Sequence, residues 1–254
     1  MPTAHNGVTA HRGNSADFPE NTLPAFVDGI ACGADWLELD VHLSLDGHLV
    51  VCHDDTTGRT GDRNLLIARA TLPELRRVDM STAFRRAHPE RPAAPTRIPL
   101  LSEVLELVLR EQKARVSVQP KADCVAAVAA LVRQMKAEAW VGFNDGSLAK
   151  MRQARELVPE ATVFYDTSPG GAALETQVAT AVQAGFNAIV MHESTMTPDA
   201  VRRIAAAGLE PGVWTVDDPA AMRRFLAMGV RRFYTDCPRA LLRLLSSPGP
   251  AAVP

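Results

Sequence analysis

Trp36-Leu37-Glu38-Leu39-Asp40-Val41-His42-Leu43 is the stretch that decides the fold. Side chains alternate faces along a strand, so Leu37, Leu39, Val41 and Leu43 point one way and Glu38, Asp40 and His42 the other. In a closed parallel barrel the outer face meets helices and is apolar, so the polar row points inward with its two carboxylates about 7 Å apart. Unpaired carboxylates there repel each other and lose hydration, which creates a demand for a cation. A half-exposed antiparallel strand carries the same alternation with its charges in water. Periodicity alone leaves both readings open.

Outward from that strand, short β-branched runs alternate with longer helical stretches. Strands are predicted over 7–12, 34–43, 114–120, 139–144, 161–166, 188–192, 209–216 and 230–236, with helices between them. Several helices open on a capping residue before proline, as in Thr197-Pro198 and Asp218-Pro219, and several close on glycine, as at Gly33, Gly185, Gly208 and Gly229. Parallel strands need crossover helices, so eight β-then-α units predict an α/β fold with a parallel sheet. Closed (β/α)8 and open doubly wound sheets both satisfy the pattern. The lack of a GxGxxG or GxxxxGK[ST] turn after the first strand favours the closed TIM barrel.

Two places break the regularity. Residues 43–53 read as a hairpin turning at Asp46-Gly47. Residues 54–97 then show no βα unit and become rich in Pro, Ala and Arg. They read as an insertion after the second strand, either a small lid or side wall or a surface loop. The expected organisation is one barrel domain over 1–254 with this insertion, its tail 246–254 frayed.

Composition sets bounds. A chain of 254 residues suits one large domain, since α/β barrels run to about 250 residues. With 46% hydrophobic and 22% charged residues it reads as globular, and a net charge of -2 gives no footprint for nucleic acid. No apolar run approaches the roughly 20 residues of a membrane span, and residues 1–6 do not read as a signal peptide. Cys32, Cys52, Cys124 and Cys237 are scattered without CxxC spacing. They are expected as buried free thiols in a reducing, cytoplasmic setting.

Other strand ends add chemistry. Val8-Thr9-Ala10-His11-Arg12-Gly13 ends in a histidine and an arginine, and Val50-Val51-Cys52-His53-Asp54 in a second histidine. A barrel gathers such ends at one mouth, where active sites of this fold are built. Gln119 and Lys121 follow from Val118-Gln119-Pro120-Lys121. Lys121 reads as a salt-bridge partner or a phosphate contact, and Trp214 as core packing or a pocket wall. Asp236, just before Cys237-Pro238, reads first as a cap for the last helix.

With these residues in view, the sequence resembles the glycerophosphodiester phosphodiesterase family. The matching residues are His11-Arg12-Gly13, Pro19-Glu20-Asn21-Thr22, Glu38-Leu39-Asp40-Val41, His53-Asp54, Ile98-Pro99-Leu100, Trp214-Thr215-Val216 and Thr235-Asp236-Cys237-Pro238. The resemblance spans essentially the whole chain. It implies a (β/α)8 barrel that hydrolyses glycerophosphodiesters to sn-glycerol 3-phosphate and an alcohol with a divalent metal, Mg²⁺ or Ca²⁺. It further implies His11 and His53 as general acid and base, Arg12 and Lys121 on the phosphate, Trp214 lining the substrate pocket, and Glu38 and Asp40 as metal ligands. One departure stands out. The family's E-x-K pattern places a third carboxylate ligand where this chain has Gln119, which still offers an oxygen but removes a negative charge. A lesser one is Gly142-Phe143, where Ser-Phe is common.

The chemistry suits the residue types. A phosphodiester is a stable anion whose charge must be neutralised before attack, and arginine offers it bidentate bonds. Histidine titrates near neutrality and suits both proton transfers, with His53 leaning towards the acid role. The expected partner is thus a small glycerophosphodiester, with neither nucleic acid nor a membrane span involved. Two alternatives remain: a phospholipase-D-like hydrolase of lysophospholipids, and a non-catalytic phosphate-ligand binder that lost metal affinity through Gln119.

Overall fold

A computed structural model describes residues 6–246; the expectations for residues 1–5 and for the tail beyond Ser246 lie outside them. In chain order the elements are β1 (Val8–His11), α1 (Leu23–Cys32), β2 (Trp36–Leu43), β3 (Leu49–Val51), α2 (Leu72–Leu75), α3 (Thr82–Ala87), α4 (Leu101–Glu111), β4 (Arg115–Pro120), α5 (Val125–Gln134) and β5 (Val141–Asp145). There follow α6 (Leu148–Leu157), β6 (Thr162–Thr167), α7 (Leu174–Gln183), β7 (Ala188–His192), α8 (Pro198–Ala206), β8 (Glu210–Trp214), α9 (Pro219–Met228), β9 (Arg232–Thr235) and α10 (Pro238–Ser246).

β1 pairs in parallel with β2 on one side and β9 on the other, and the remaining strands link β2 to β9 through β4, β5, β6, β7 and β8. The sheet therefore closes on itself as an eight-stranded parallel barrel, and the open alternative falls. β3 is the exception. It lies antiparallel to the end of β2, with Val41 opposite Val51 and Leu43 opposite Leu49. Gly47 turns the hairpin at a φ of 80°, a conformation glycine adopts without steric cost.

The alternation in β2 has its expected consequence. Leu37, Leu39 and Val41 join the large core between barrel and helices, together with Phe26, Val104, Val108 and Val128. On the inner face Trp36 packs with Phe164, Val190 and Tyr234 and plugs the lower barrel. The Arg115 and Arg232 guanidinium groups lie 5.6 and 5.7 Å from the Trp36 ring. This plug accounts for Gly142: a Cβ there would sit 2.9 Å from the Trp36 ring and 2.8 Å from the Thr162 carbonyl oxygen. The serine common at that position has no room here.

Helix starts follow the capping signals. Ser147, Thr197 and Asp218 accept hydrogen bonds from the backbone N–H of Lys150, Ala200 and Ala221, opening α6, α8 and α9. The inserted residues fold around a small core of their own, in which Val50, Cys52, Ile67, Leu75, Val78 and Ile98 are buried. Arg91, near the Pro-rich end of the insertion, reaches back to Asp17 at 3.0 Å, so the insertion stands against the first strand-to-helix loop. All four cysteines are unpaired; Cys52 and Cys124 are buried, Cys32 and Cys237 partly so. Among the described residues no helix is long and apolar enough to cross a membrane.

Candidate active site

The C-terminal ends of the strands surround a pocket of 240 Å³ lined by His11, Arg12, Glu38, His53, Gln119, Lys121, Asn144, Asp166 and Trp214, among others. Every residue assigned a role from sequence is therefore in or against one cavity, with Asp40 buried behind its wall at 1% exposure.

Each piece is positioned by local sequence. His11 is the last residue of β1 and faces Glu38 across the β1–β2 register. The chain then turns sharply, with Arg12 at φ 60° and Gly13 at φ 81°. A Cβ on Gly13 would lie 2.7 Å from the Ala25 carbonyl carbon, so the residue after Arg12 must be glycine. The turn aims the Arg12 N–H at Glu38 Oε2, 3.1 Å away.

Two imidazoles are held alike. His11 Nδ1 bonds Asp236 Oδ1 at 2.8 Å, and His53 Nδ1 bonds Asp54 Oδ1 at 2.6 Å. A carboxylate on one ring nitrogen fixes ring orientation and leaves Nε2 for chemistry. Burial alone would lower the His11 pKa, but the Asp236 hydrogen bond and the nearby Glu38 charge outweigh it and raise the pKa above the usual value. Burial also opposes ionisation of Asp54, yet the bonds from Arg59 and His53 bring it down to about 2.

Asp236 corrects one expectation. Read from sequence as a helix cap, it instead accepts from the Ser15 hydroxyl at 2.8 Å and holds His11, while the Cys237 N–H before α10 is taken by the Thr235 hydroxyl. Sequence favoured a cap because an Asp before a proline-led helix is the commoner arrangement.

A network of alternating charge ties the rest together. Asp40 lies 3.1 Å from Lys121 Nζ and 3.4 Å from Arg12 Nε, and the Asn21 amide donates to it at 2.8 Å. Burial would raise its pKa, but the Lys121 and Arg12 charges hold it below the usual carboxylate range. Glu20 accepts from Arg12 at 3.0 Å and from both ends of the Arg59 guanidinium at 2.7 Å, and Arg59 also donates to Asp54. Glu20 of the PENT segment and Arg59 of the insertion thus brace Arg12 and, through Asp54, His53. Glu38 is held more loosely, by the Arg12 N–H and by His11 Nε2 4.0 Å away. Burial and the neighbouring Asp40 charge push its pKa up to about 7.

Three contributors were not singled out from sequence. Arg59 lies in the insertion, where no periodicity marks it. Asn144 and Asp166 sit near the ends of β5 and β6, and the Asn144 amide donates to Asp166 Oδ2 at 3.1 Å. Desolvation and the surrounding negative charge raise Asp166 to about 7 despite that bond. Its signal was present, since Thr162, Phe164 and Asp166 alternate onto one face. Trp214 packs edge-on to His192 at 4.9 Å between ring centres and donates its indole N–H to the Thr167 carbonyl.

A divalent cation suits the donor set. Glu38, Asp40 and the Gln119 amide are hard oxygen donors of the kind Mg²⁺ and Ca²⁺ prefer. Arg12 and Lys121 pair with Asp40, while Glu38 and Asp166 add two further carboxyl groups to the cavity wall, and a bound cation would favour their ionised form. Among the described residues, no three His, Cys, Asp or Glu side chains converge closely enough to hold a metal by themselves. Gln119 or water would have to complete any such set.

Comparison with known proteins identifies the fold and the family. The family model of the glycerophosphoryl diester phosphodiesterase family matches residues 11–240. A glycerophosphodiester phosphodiesterase of Caldanaerobacter subterraneus subsp. tengcongensis is 30% identical over 95% of this chain and 98% of its own. Among solved structures, an Oleispira antarctica phosphodiesterase in complex with the product sn-glycerol-3-phosphate superposes with a TM-score of 0.82, at 26% identity over 94% of this chain and 96% of that one. A glycerophosphodiester phosphodiesterase from Agrobacterium tumefaciens superposes at 0.78, also 26% identical, over 93% and 98%. The chain belongs to the glycerophosphoryl diester phosphodiesterase family and is a phosphoric diester hydrolase.

Proposed function

We propose that the protein hydrolyses small glycerophosphodiesters to sn-glycerol 3-phosphate and an alcohol, with His11 and His53 as the proton-transfer pair. The observation that carries this reading is two imidazoles in one pocket, each with Nδ1 tied to its own carboxylate, beside an arginine and a lysine. The sn-glycerol 3-phosphate bound by the Oleispira relative is the product expected here.

Arg12 and Lys121 would hold the phosphate oxygens, with Asp40 pinning both cations in place. The raised pKa of His11 suits it to donate a proton to the leaving alkoxide, which gives His53 the task of accepting one from the attacking oxygen, that of water or of the substrate's own glycerol hydroxyl ahead of a second step with water. This reverses the leaning drawn from sequence. Trp214 walls the side of the pocket where the glycerol carbons would pack.

Glu38, Asp40 and the Gln119 oxygen would hold a divalent metal, Mg²⁺ or Ca²⁺. When bound, such an ion supplies positive charge that neutralises the phosphate in the transition state. Four unpaired cysteines suit a reducing, cytoplasmic setting. A greasy, mobile insertion would favour the lysophospholipid reading, but residues 81–95 are charged and Pro-rich, and Ile67, Leu75, Val78 and Met80 turn inward into a core of their own.

The test is turnover of glycerophosphocholine, followed as glycerol phosphate release with and without EDTA. EDTA-sensitive release by the parent supports the proposal. No turnover of any glycerophosphodiester with Mg²⁺, Ca²⁺ or Mn²⁺ present, together with retained phosphate-ester binding, supports the non-catalytic binder instead.

A further inference from the structure

Gln119 is paired in register with Asp40, and its side chain meets Asp166, which reaches the same cavity from β6. Gln119 Nε2 donates to Asp166 Oδ2 at 3.2 Å, and Asn144 from the intervening β5 donates to that same oxygen. Asp166 Oδ1 is shut off from solvent and takes no hydrogen bond. Oδ2 thus accepts from two side-chain amides at once, and Gln119 turns its amide nitrogen towards Asp166. The carbonyl oxygen is thereby turned away from Asp166.

We propose that Asp166 is a positioning residue for the cation site. It fixes the Gln119 amide so that its oxygen is presented to a cation held with Glu38 and Asp40. It also brings a carboxyl group from β6 against the position where Gln119 stands. The pairing favours glutamine at this position: a glutamate in the same place would put two carboxyl groups in contact at the distance the amide now bridges. This inference rests on the metal-dependent reading above and goes beyond it, because Asp166 acts through Gln119 rather than on the substrate.

The test is calorimetric titration of Mn²⁺ alone, without substrate, into the parent, Asp166→Asn, Gln119→Glu and the double variant. Loss of a carboxylate that orients a metal ligand weakens metal binding by about 10- to 100-fold. Asp166→Asn should show that loss. The double variant should recover most of it, since Gln119→Glu then supplies the charge without a carboxylate neighbour. Gln119→Glu beside an intact Asp166 should tighten Mn²⁺ by less than the same change does in the Asp166→Asn background. Asp166→Ser repeats the comparison should the asparagine disturb the Asn144 contact. Parent-like Mn²⁺ affinity in Asp166→Asn, or a double variant no tighter than Asp166→Asn, overturns the inference alone. A parent that binds no Mn²⁺ overturns it together with the metal-dependent reading.

Discussion

Asp236→Asn probes the proton-transfer machinery with the smallest change of shape. Asparagine keeps an acceptor oxygen for Ser15 and for His11 Nδ1 but removes the charge. A hydrogen bond to a charged group is worth about 1.5–3 kcal/mol. Asp236 is 39% exposed, so water screens part of its charge and the lower half of that range applies. At about 1.36 kcal/mol per tenfold, kcat/KM should fall roughly 10- to 50-fold. The pH profile carries the sharper signal. His11 stands above its ordinary pKa because Asp236 and Glu38 outweigh burial, so deleting one of them must move it down. An acid works only while protonated; the alkaline limb of kcat/KM should therefore shift to lower pH. The assay is steady-state hydrolysis of glycerophosphocholine from about pH 5 to pH 9 for parent and variant, a span that brackets histidine titration. A loss of rate with an unmoved alkaline limb refutes the assignment of His11 as the acid held by Asp236.

Gly13→Ala should lower the melting temperature, since φ 81° costs a non-glycine residue about 1–3 kcal/mol and the added Cβ strikes the Ala25 backbone; a scanning calorimetry trace like the parent's would contradict the turn described. Lys121→Ala should reduce kcat/KM by about 10²–10³, as removal of a charge aimed at a developing anion does, and a change of under threefold would move Lys121 to a purely structural role. Glu38 and Asp166 both stand raised to about 7 in the fold. A carboxyl with a raised folded pKa contributes stability that is whole below its unfolded value and is lost as pH rises through the folded value. Metal-free protein should therefore melt lower at about pH 8 than at about pH 5, on either side of that folded value. Added Mg²⁺ should restore more stability at the alkaline end than at the acid end, and the opposite ordering would count against the buried carboxylate pair.

The barrel was legible because its signal is local and repeated: alternation within each strand, a cap or proline at helix starts and glycine at helix ends. Most of the site was legible as well, because residues at consecutive strand ends must meet wherever the sheet closes. The rest depends on long-range pairing that no spacing encodes. Asp236 looks like a cap until β9 is seen beside β1, where its carboxylate meets His11. Arg59 lies in a segment without periodicity and acquires a role only by bridging Glu20 and Asp54. Asp166 ends an ordinary strand and gains meaning only through Gln119, on a strand 47 residues earlier.

The central claim is hydrolysis of a glycerophosphodiester by two histidines beside a cation site. It is tested most directly by following sn-glycerol 3-phosphate release from glycerophosphocholine in the Mg²⁺-supplemented parent, His11→Ala and His53→Ala, each repeated with EDTA. The account predicts release by the parent alone, its loss on chelation, and a fall of at least about 10² in either variant. Undiminished release in both histidine variants would contradict it.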